Sequence, residues 1–169
     1  MNGIPLLHAD DACIVALKPA GLLSVPGRGA DKADCLIVRV QALYPNASIV
    51  HRLDQATSGL MVLARGKARE STLSKQFQQR QVAKHYIAVA SGLMQDESGE
   101  ITLPLIADWP NRPLQKVDLE TGKPSHTSYE VLARDELTQT TRVKLTPHTG
   151  RSHQLRVHLM NLGLSLIHI

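Results

Sequence analysis

One polar loop carries residue types that can do acid–base or nucleophilic chemistry. Residues 51–59 read H-R-L-D-Q-A-T-S-G, and an apolar run, L-M-V-L-A, follows at 60–64. The run is short and typical of a buried strand, so it would give the loop a rigid support. Asp54 is the only carboxylate of the loop, and Arg52 lies two residues before it. These residues alone fit a catalytic loop and a turn with a surface ion pair equally well.

The histidines do not have the spacing of metal ligands. His148, His153 and His158 are five residues apart, and they share no face of a helix, since each step turns about 140°. On a strand, odd spacing alternates faces. Residues 18–29 contain three glycines but not the final Gly-Lys-Ser/Thr of a phosphate-binding loop. We therefore predict neither a metal site nor a nucleotide site.

The elements that must position the loop are strands and helices in one domain, residues 1–169. Strands are predicted at residues 12–17, 60–64, 82–90, 127–133 and 140–146. In the third strand, Lys84, Tyr86 and Ala88 share one side. Residues 95–100 are predicted to form a polar turn, and residues 104–125 a long, proline-containing loop.

Three helices complete the prediction. The first passes through Leu36 and is capped by Asp34, and the second covers residues 67–80. The last is capped by Ser152, carries a leucine stripe and ends at Gly163. The fold class is therefore α+β, with a mixed, mostly antiparallel sheet and flanking helices.

Nothing in the sequence directs the chain to a membrane or to an oxidising compartment. No apolar stretch reaches the length of a membrane span, and the opening residues, M-N-G-I-P, do not form a secretory signal. Cys13 and Cys35 stand in apolar surroundings, so we predict reduced core residues. These features favour the cytoplasm.

Four stretches match the motifs of one enzyme family, in the family's order. They are K-P-A-G-L-L-S-V-P-G at 18–27, the 51–59 loop with its apolar run, K-H-Y at 84–86, and H-T-G-R-S-H-Q-L-R-V-H-L at 148–159. The chain thereby resembles the RluA-type pseudouridine synthases over residues 13–163. The stretch P-L-I-A-D-W-P-N-R-P at 104–113 resembles the branch of the family that acts on both ribosomal and transfer RNA.

The resemblance implies the pseudouridine synthase catalytic fold and a cofactor-free isomerisation of uridine in RNA. The bond from ribose C1′ to uracil N1 breaks, the base turns, and C1′ joins C5 without redox change. Asp54 matches the family's catalytic carboxylate, and Arg151 the arginine that would keep it ionised and aimed. Tyr86 matches the tyrosine that packs on uracil and can move the C5 proton. Whether Asp54 attacks the ribose or the base stays open.

A target base must leave its stack before it reacts, and something must fill the gap. Arg52 resembles the family residue that does this, because a planar guanidinium stacks well on bases. Leu155 resembles the apolar residue that lines the uracil pocket. The residues predicted to bind RNA are Arg52, His51, Arg112, Lys116, Lys123, Gln154 and Leu155. The predicted partners are stem-loops of large-subunit ribosomal RNA and of transfer RNA, bound by a monomer.

The composition agrees with such a substrate. The chain carries a formal charge of +4, and only 3% of its residues are aromatic. Positive charge attracts a phosphate backbone, although many proteins that bind no nucleic acid are as basic. A binder of single strands would have more aromatic stacking platforms. The composition therefore favours a folded RNA held by charge and shape.

The match to the family stops at Gly163. The family pattern continues with a stretch that completes the central sheet, whereas this chain ends L-S-L-I-H-I. We therefore expect a catalytic domain that is incomplete at its C-terminus and has no N-terminal RNA-binding domain. The apolar tail is expected to bury against the domain or to pair along a sheet edge.

Two other functions stay open at this point. An inactive RNA-binding module would keep Arg52, Arg112 and Lys116 at work, while truncation disables catalysis. A glycosidase-like hydrolase would use Asp54, but it normally needs a second carboxylate at a defined distance, and no partner stands out in the sequence.

Overall fold

The structure is a computed structural model that describes residues 3–169. It divides into two units, residues 1–82 and 83–169, each with a sheet of its own. Within residues 3–169, every pair of neighbouring strands is antiparallel, and three α-helices accompany the sheets. The predicted α+β class, mostly antiparallel, is therefore confirmed. No helix in this part of the chain is long and apolar enough to cross a membrane.

The first unit is built on a four-stranded sheet in the order β1-β2-β4-β3. Its strands are β1, Leu6–Ala9; β2, Cys13–Lys18; β3, Ala47–Ile49; and β4, Gly59–Arg65. The predicted strands at 12–17 and 60–64 are thus confirmed as the central pair. Their apolar side chains form the core, and Ile14, Met61 and Leu63 are fully buried. The 51–59 loop runs directly into β4.

Two helices flank this sheet. Helix α1, Leu36–Gln41, buries one apolar face, and helix α2, Lys67–Gln78, has no buried residue. Asp34 is not the predicted cap, because α1 starts at Cys35 without a side-chain cap. The Asp34 carboxylate instead accepts two bonds from the Arg39 guanidinium, at 2.8 and 2.5 Å. An ion pair thus outcompetes the local capping preference.

The second unit contains a five-stranded sheet in the order β11-β5-β10-β9-β6. Its strands are β5, Tyr86–Ser91; β6, Ser98–Ile101; β9, Thr127–Asp135; β10, Thr140–Pro147; and β11, Ser165–His168. A separate hairpin joins β7, Leu105–Ala107, to β8, Gln115–Val117. Helix α3, Gln154–Asn161, buries Leu159 in the core with Val143 and Leu145 of β10.

Several local predictions for this unit are wrong. Residues 98–101 form an edge strand on β9 rather than a turn, and β5 begins at Tyr86 rather than at 82. Ser152 is not a cap, because α3 starts at His153, whose φ of 52° is left-handed. The helix ends at Asn161, and Gly163, with a φ of 76°, follows the cap residue Leu162. The tail behaves as expected: β11 pairs with β5, and Leu166 is 8% exposed.

Candidate active site

The backbone on both sides of Asp54 is tied to the 18–27 motif, while Asp54 itself is exposed. Before it, the Ser24 hydroxyl donates to the Leu53 carbonyl at 2.6 Å and accepts the Leu53 N–H at 3.1 Å. After it, the Gln55 carbonyl accepts the Gly21 N–H at 2.8 Å, and the Gln55 amide donates to the Gly21 carbonyl at 3.0 Å. The loop therefore presents its carboxylate to solvent from a fixed backbone.

Lys18 is a fully buried cation under this loop. Its ammonium donates to the carbonyls of Pro19 at 2.9 Å, Leu22 at 2.6 Å and Gln55 at 3.1 Å. Burial lowers the pKa of Lys18, and the negative charge of Asp54 acts in the opposite direction. The three hydrogen bonds to carbonyl oxygens satisfy the ammonium, so its positive charge can be buried close to Asp54 without an ion-pair contact.

The two residues at the start of the loop differ in exposure. The Arg52 side chain is exposed, and its entry into an RNA stack stays a prediction. His51 is half-buried, and its Nε2 accepts the Val62 N–H at 2.9 Å. Its ring stacks on Phe77 of α2, with centroids 4.3 Å apart. His51 therefore fastens the loop to β4 and α2, and its predicted RNA contact stays a prediction.

In the second unit, Arg151 lies in a turn between β10 and α3. Its N–H donates to Gln154 Oε1 at 2.9 Å, and its Nε donates to the Pro124 carbonyl at 3.2 Å. The same Gln154 oxygen accepts the Thr149 hydroxyl at 2.8 Å. The Arg151 side chain is partly exposed. The turn therefore holds a guanidinium at the surface by bonds to its own backbone and to its Nε.

Gln154 is 3% exposed. Its Nε2 donates to the His126 carbonyl at 3.0 Å and to the Thr127 hydroxyl at 2.9 Å. Both ends of the amide are thus bonded to protein groups. Gln154 therefore lies inside the second unit, under the Arg151 turn. The RNA contact predicted for it stays a prediction.

Tyr86 is the first residue of β5 and lies opposite Leu145 of β10. It is half-buried against the core of the second unit, as is Leu155 of α3. The predicted alternation of this strand is confirmed, because Ala88 and Ala90 are fully buried and Ile87 is 43% exposed. Tyr86 and Leu155 therefore belong to one apolar wall of the unit.

The cations predicted to bind RNA from residues 104–125 lie on and beside the β7–β8 hairpin. Arg112, Lys116 and Lys123 are all exposed. The Arg112 guanidinium lies over the ring of Trp109, 3.0 Å from its centroid, and Trp109 is 65% exposed. The hairpin therefore carries positive charge together with a planar stacked pair, although the sequence predicted only a loop.

The predicted site residues fall into both units. Asp54, Arg52 and His51 lie in the first, and Tyr86, Arg112, Lys116, Lys123, Arg151, Gln154 and Leu155 lie in the second. Within each unit the grouping is as described above. The meeting of Asp54 with Arg151 and Tyr86 stays a prediction.

The three evenly spaced histidines have separate surroundings. His148 stacks on His126, with centroids 4.2 Å apart, and bonds to Ser128 at 2.7 Å. His153 starts α3, and His158 is fully buried. Within residues 3–169, one group has metal-ligand types: His8, Asp10 and Cys13, with ligand atoms within 4.8 Å of one another.

The His8 group has an explanation without an ion. Asp10 Oδ1 accepts the N–H groups of Ala12 and Cys13, each at 2.8 Å, and Oδ2 lies 3.0 Å from His8 Nε2. The bond from Cys13 contributes most to holding the pKa of Asp10 far below its usual range. These contacts are those of an Asx turn that closes the β1–β2 hairpin.

Sequence reasoning missed the anchoring residues of the site. Lys18 and Ser24 stand in a matched motif, but their partners Gln55 and Leu53 lie 37 and 29 residues away. Thr127 lies outside any matched stretch, although it bonds to Gln154. A lysine at the end of an apolar strand was the available signal for Lys18, since buried lysines need partners.

Residues 12–161 match the RNA pseudouridylate synthase family. The dual-specificity RNA pseudouridine synthase RluA of Vibrio parahaemolyticus serotype O3:K6 is 54% identical over 165 residues, which cover 96% of this chain and 66% of that protein. The protein of the same name from Escherichia coli strain K12 is 52% identical over 160 residues, which cover 94% of this chain and 72% of its own length. The chain thus spans 66–72% of the length of these two relatives.

Solved structures agree with this match. Human RNA pseudouridylate synthase domain containing 1 superposes with a TM-score of 0.81 at 25% identity, covering 98% of this chain and 67% of that one. Human RNA pseudouridylate synthase domain containing 4 gives a TM-score of 0.76 at 28% identity, with coverage of 96% and 66%. The chain belongs to the RNA pseudouridylate synthase family.

Proposed function

We propose that this chain isomerises specific uridines of ribosomal and transfer RNA to pseudouridine, with Asp54 as the catalytic carboxylate. The observation that carries the proposal is the Asp54 loop. The Asp54 side chain is exposed, and the Ser24–Leu53 and Gly21–Gln55 hydrogen bonds fix the backbone on either side of it. A nucleophilic or charge-stabilising carboxylate needs this combination of access and fixed aim.

The reaction exchanges one bond to ribose C1′ for another. The C1′–N1 bond breaks, the C1′–C5 bond forms, C5 loses its proton and N1 gains one. Asp54 supplies negative charge or a covalent bond while the base is detached. In this proposal Arg151 stands beside Asp54 as counter-charge, and Tyr86 packs on the uracil near the C5 proton. In this proposal residues of both units contribute to the reaction.

RNA binding is assigned to groups in both units. Arg52 enters the space that the extruded base leaves, because it is exposed and two residues from Asp54. Arg112, Lys116 and Lys123 offer phosphate contacts from the β7–β8 hairpin and the segment after it. The Arg112–Trp109 pair, at 3.0 Å, adds a planar surface there. Stem-loops of large-subunit ribosomal RNA and of transfer RNA are the proposed substrates, bound by a monomer in the cytoplasm without a cofactor.

The test is tritium release from RNA that carries C5-tritiated uridine, with free uracil measured in parallel. Isomerisation releases tritium without free uracil. Free uracil in step with strand damage would identify a hydrolase. Binding to the same RNA without release of either would identify an RNA-binding module, and both of these results contradict the proposal.

A further inference from the structure

A continuous set of buried polar side chains lies beneath the Arg151 turn. Thr127 and His158 are fully buried, Gln154 is 3% exposed and Thr149 is 7% exposed. Buried polar groups lower stability unless each finds a partner. The positions of their partners therefore show what this set holds in place.

The Gln154 amide fixes one consistent assignment of the hydrogen atoms, because its Nε2 must donate to the His126 carbonyl. The Thr127 hydroxyl accepts from Gln154 Nε2, and its own hydrogen points to His158 Nδ1, 3.0 Å away. His158 Nε2 then carries the proton and donates to the Leu103 carbonyl at 3.0 Å. Burial lowers the pKa of His158, which agrees with a neutral ring. Each group thereby fixes the orientation of the next.

The Gln154 amide uses all of its hydrogen-bonding positions. The Gln154 amide has two donor hydrogens and two acceptor positions. The hydrogens go to the His126 carbonyl and the Thr127 hydroxyl, and the acceptor positions take the Thr149 hydroxyl and the Arg151 N–H. A rotation of this amide would break all of these bonds, so the end that faces Arg151 cannot turn away.

We propose that Gln154, oriented by Thr127 and His158, is a positioning residue that fixes the conformation of residues 149–151 and thereby the place of the Arg151 guanidinium. The inference rests on the proposed function, in which Arg151 acts beside Asp54. Gln154 touches no reacting atom. It acts through the Arg151 N–H, which it holds at 2.9 Å.

The sharpest test compares two buried threonines of neighbouring strands. Thr127 of β9 and Thr141 of β10 are both fully buried. Thr141 accepts the Met94 N–H at 3.0 Å and donates to the Gly92 carbonyl at 2.8 Å, with no bond to the Arg151 turn. Thr127→Val and Thr141→Val remove the same hydroxyl from the same sheet, and both should lower Tm.

Only Thr127→Val should lower kcat, by about 10- to 100-fold, because it misplaces a group that acts in the reaction. KM should change by less than about threefold, since phosphate contacts are untouched. Thr127→Ser restores the hydroxyl and should restore kcat. Equal kcat in Thr127→Val and Thr141→Val at matched folded fraction would overturn the inference.

Gln154→Met gives a second readout that does not depend on folding losses at Thr127. The Arg151 amide should lose hydrogen-exchange protection in this variant. In an Arg151→Ala background, Gln154→Met should add no further loss of kcat, because coupled residues are not additive. Additive losses, or unchanged protection with unchanged kcat, would refute the positioning role.

The same variants separate the two levels of the proposal. Full activity of Arg151→Ala would remove Arg151 from the reaction and overturn the inference, whereas no tritium release from the unaltered chain would overturn the proposed function itself. An inactive Arg151→Ala together with fully active Thr127→Val and Gln154→Met would leave the proposed function standing and overturn only the inference about Gln154.

Discussion

The Asp54 loop and the Arg151 turn hold groups of opposite charge by different means. Beneath Asp54 the anchor is a buried cation, Lys18, bonded to three carbonyls. Beneath Arg151 the anchor is the neutral amide of Gln154. A buried cation attracts the carboxylate above it, whereas a second cation under an arginine would repel the guanidinium. The anchors therefore match the charge that each segment presents.

The largest effect is expected where the presented charge itself is removed. Asp54→Asn should abolish turnover while RNA affinity stays within a few-fold, because binding is spread over many phosphate contacts. Isomerisation rate and filter-binding affinity check this. Substantial residual turnover would remove Asp54 from the chemistry.

Removing the opposite charge should cost less than removing Asp54 but more than any surface arginine. Arg151→Ala should lower turnover strongly, because the carboxylate loses its counter-charge. Arg142→Ala is the control, since Arg142 is an exposed residue of β10. Arg134 is unsuitable, because it donates to the Met94 carbonyl at 2.7 Å and to Glu97 at 2.6 Å. Equal rates in the Arg151 and Arg142 variants would contradict the assignment.

Lys18→Met tests the charged anchor. It should lower the free energy of unfolding by about 1–3 kcal/mol, because carbonyls lose their donor, and it should slow turnover by loosening the Asp54 loop. The folded pKa of Lys18 lies below 10.5, so the unfolded chain holds the proton more tightly. Wild-type stability should gain as pH rises from that folded pKa to 10.5, and the variant should lack this gain. Identical pH curves from urea titrations would argue against a buried ammonium.

His158→Asn tests the neutral anchor, with the smallest expected effect. The folded pKa of His158 lies below 6.5, so the ring contributes its full stability above 6.5. That contribution falls as pH drops from 6.5 to the folded pKa, by at most about 1.4 kcal/mol per pH unit. Wild-type Tm should therefore fall more between pH 7.5 and 5.5 than the Tm of the variant. Parallel Tm curves would show that His158 is not held neutral.

The sequence predicted elements well where a pattern is local. The alternation around Tyr86 separated Ala88, which is fully buried, from Ile87, which is exposed, and the apolar run at 60–64 became β4. Helix caps were wrong at Asp34 and Ser152, because an ion pair and a left-handed His153 decide those starts. Local preferences are weak enough for tertiary contacts to override them.

The anchors of the site could not be predicted because their bonds join distant parts of the chain. Ser24 and Leu53 are 29 positions apart, and Gln154 and Thr127 are 27 apart. Matching motifs identified Asp54 and Arg151 as candidates, but no spacing rule shows which side chains fix the backbone around them. The β7–β8 hairpin was missed because its strands have only three residues each, which is too short for an alternating pattern to show.

The two hydrogen bonds between the Ser24 hydroxyl and the Leu53 backbone have a consequence for the timing of recognition. A loop whose backbone is already tied loses little conformational entropy when a substrate arrives. The rearrangement that brings a uridine to Asp54 must then come from the RNA, which has to unstack the base. We therefore expect turnover to depend on how easily the RNA loop opens, so that a mismatch closing the stem accelerates catalysis without any change in the protein.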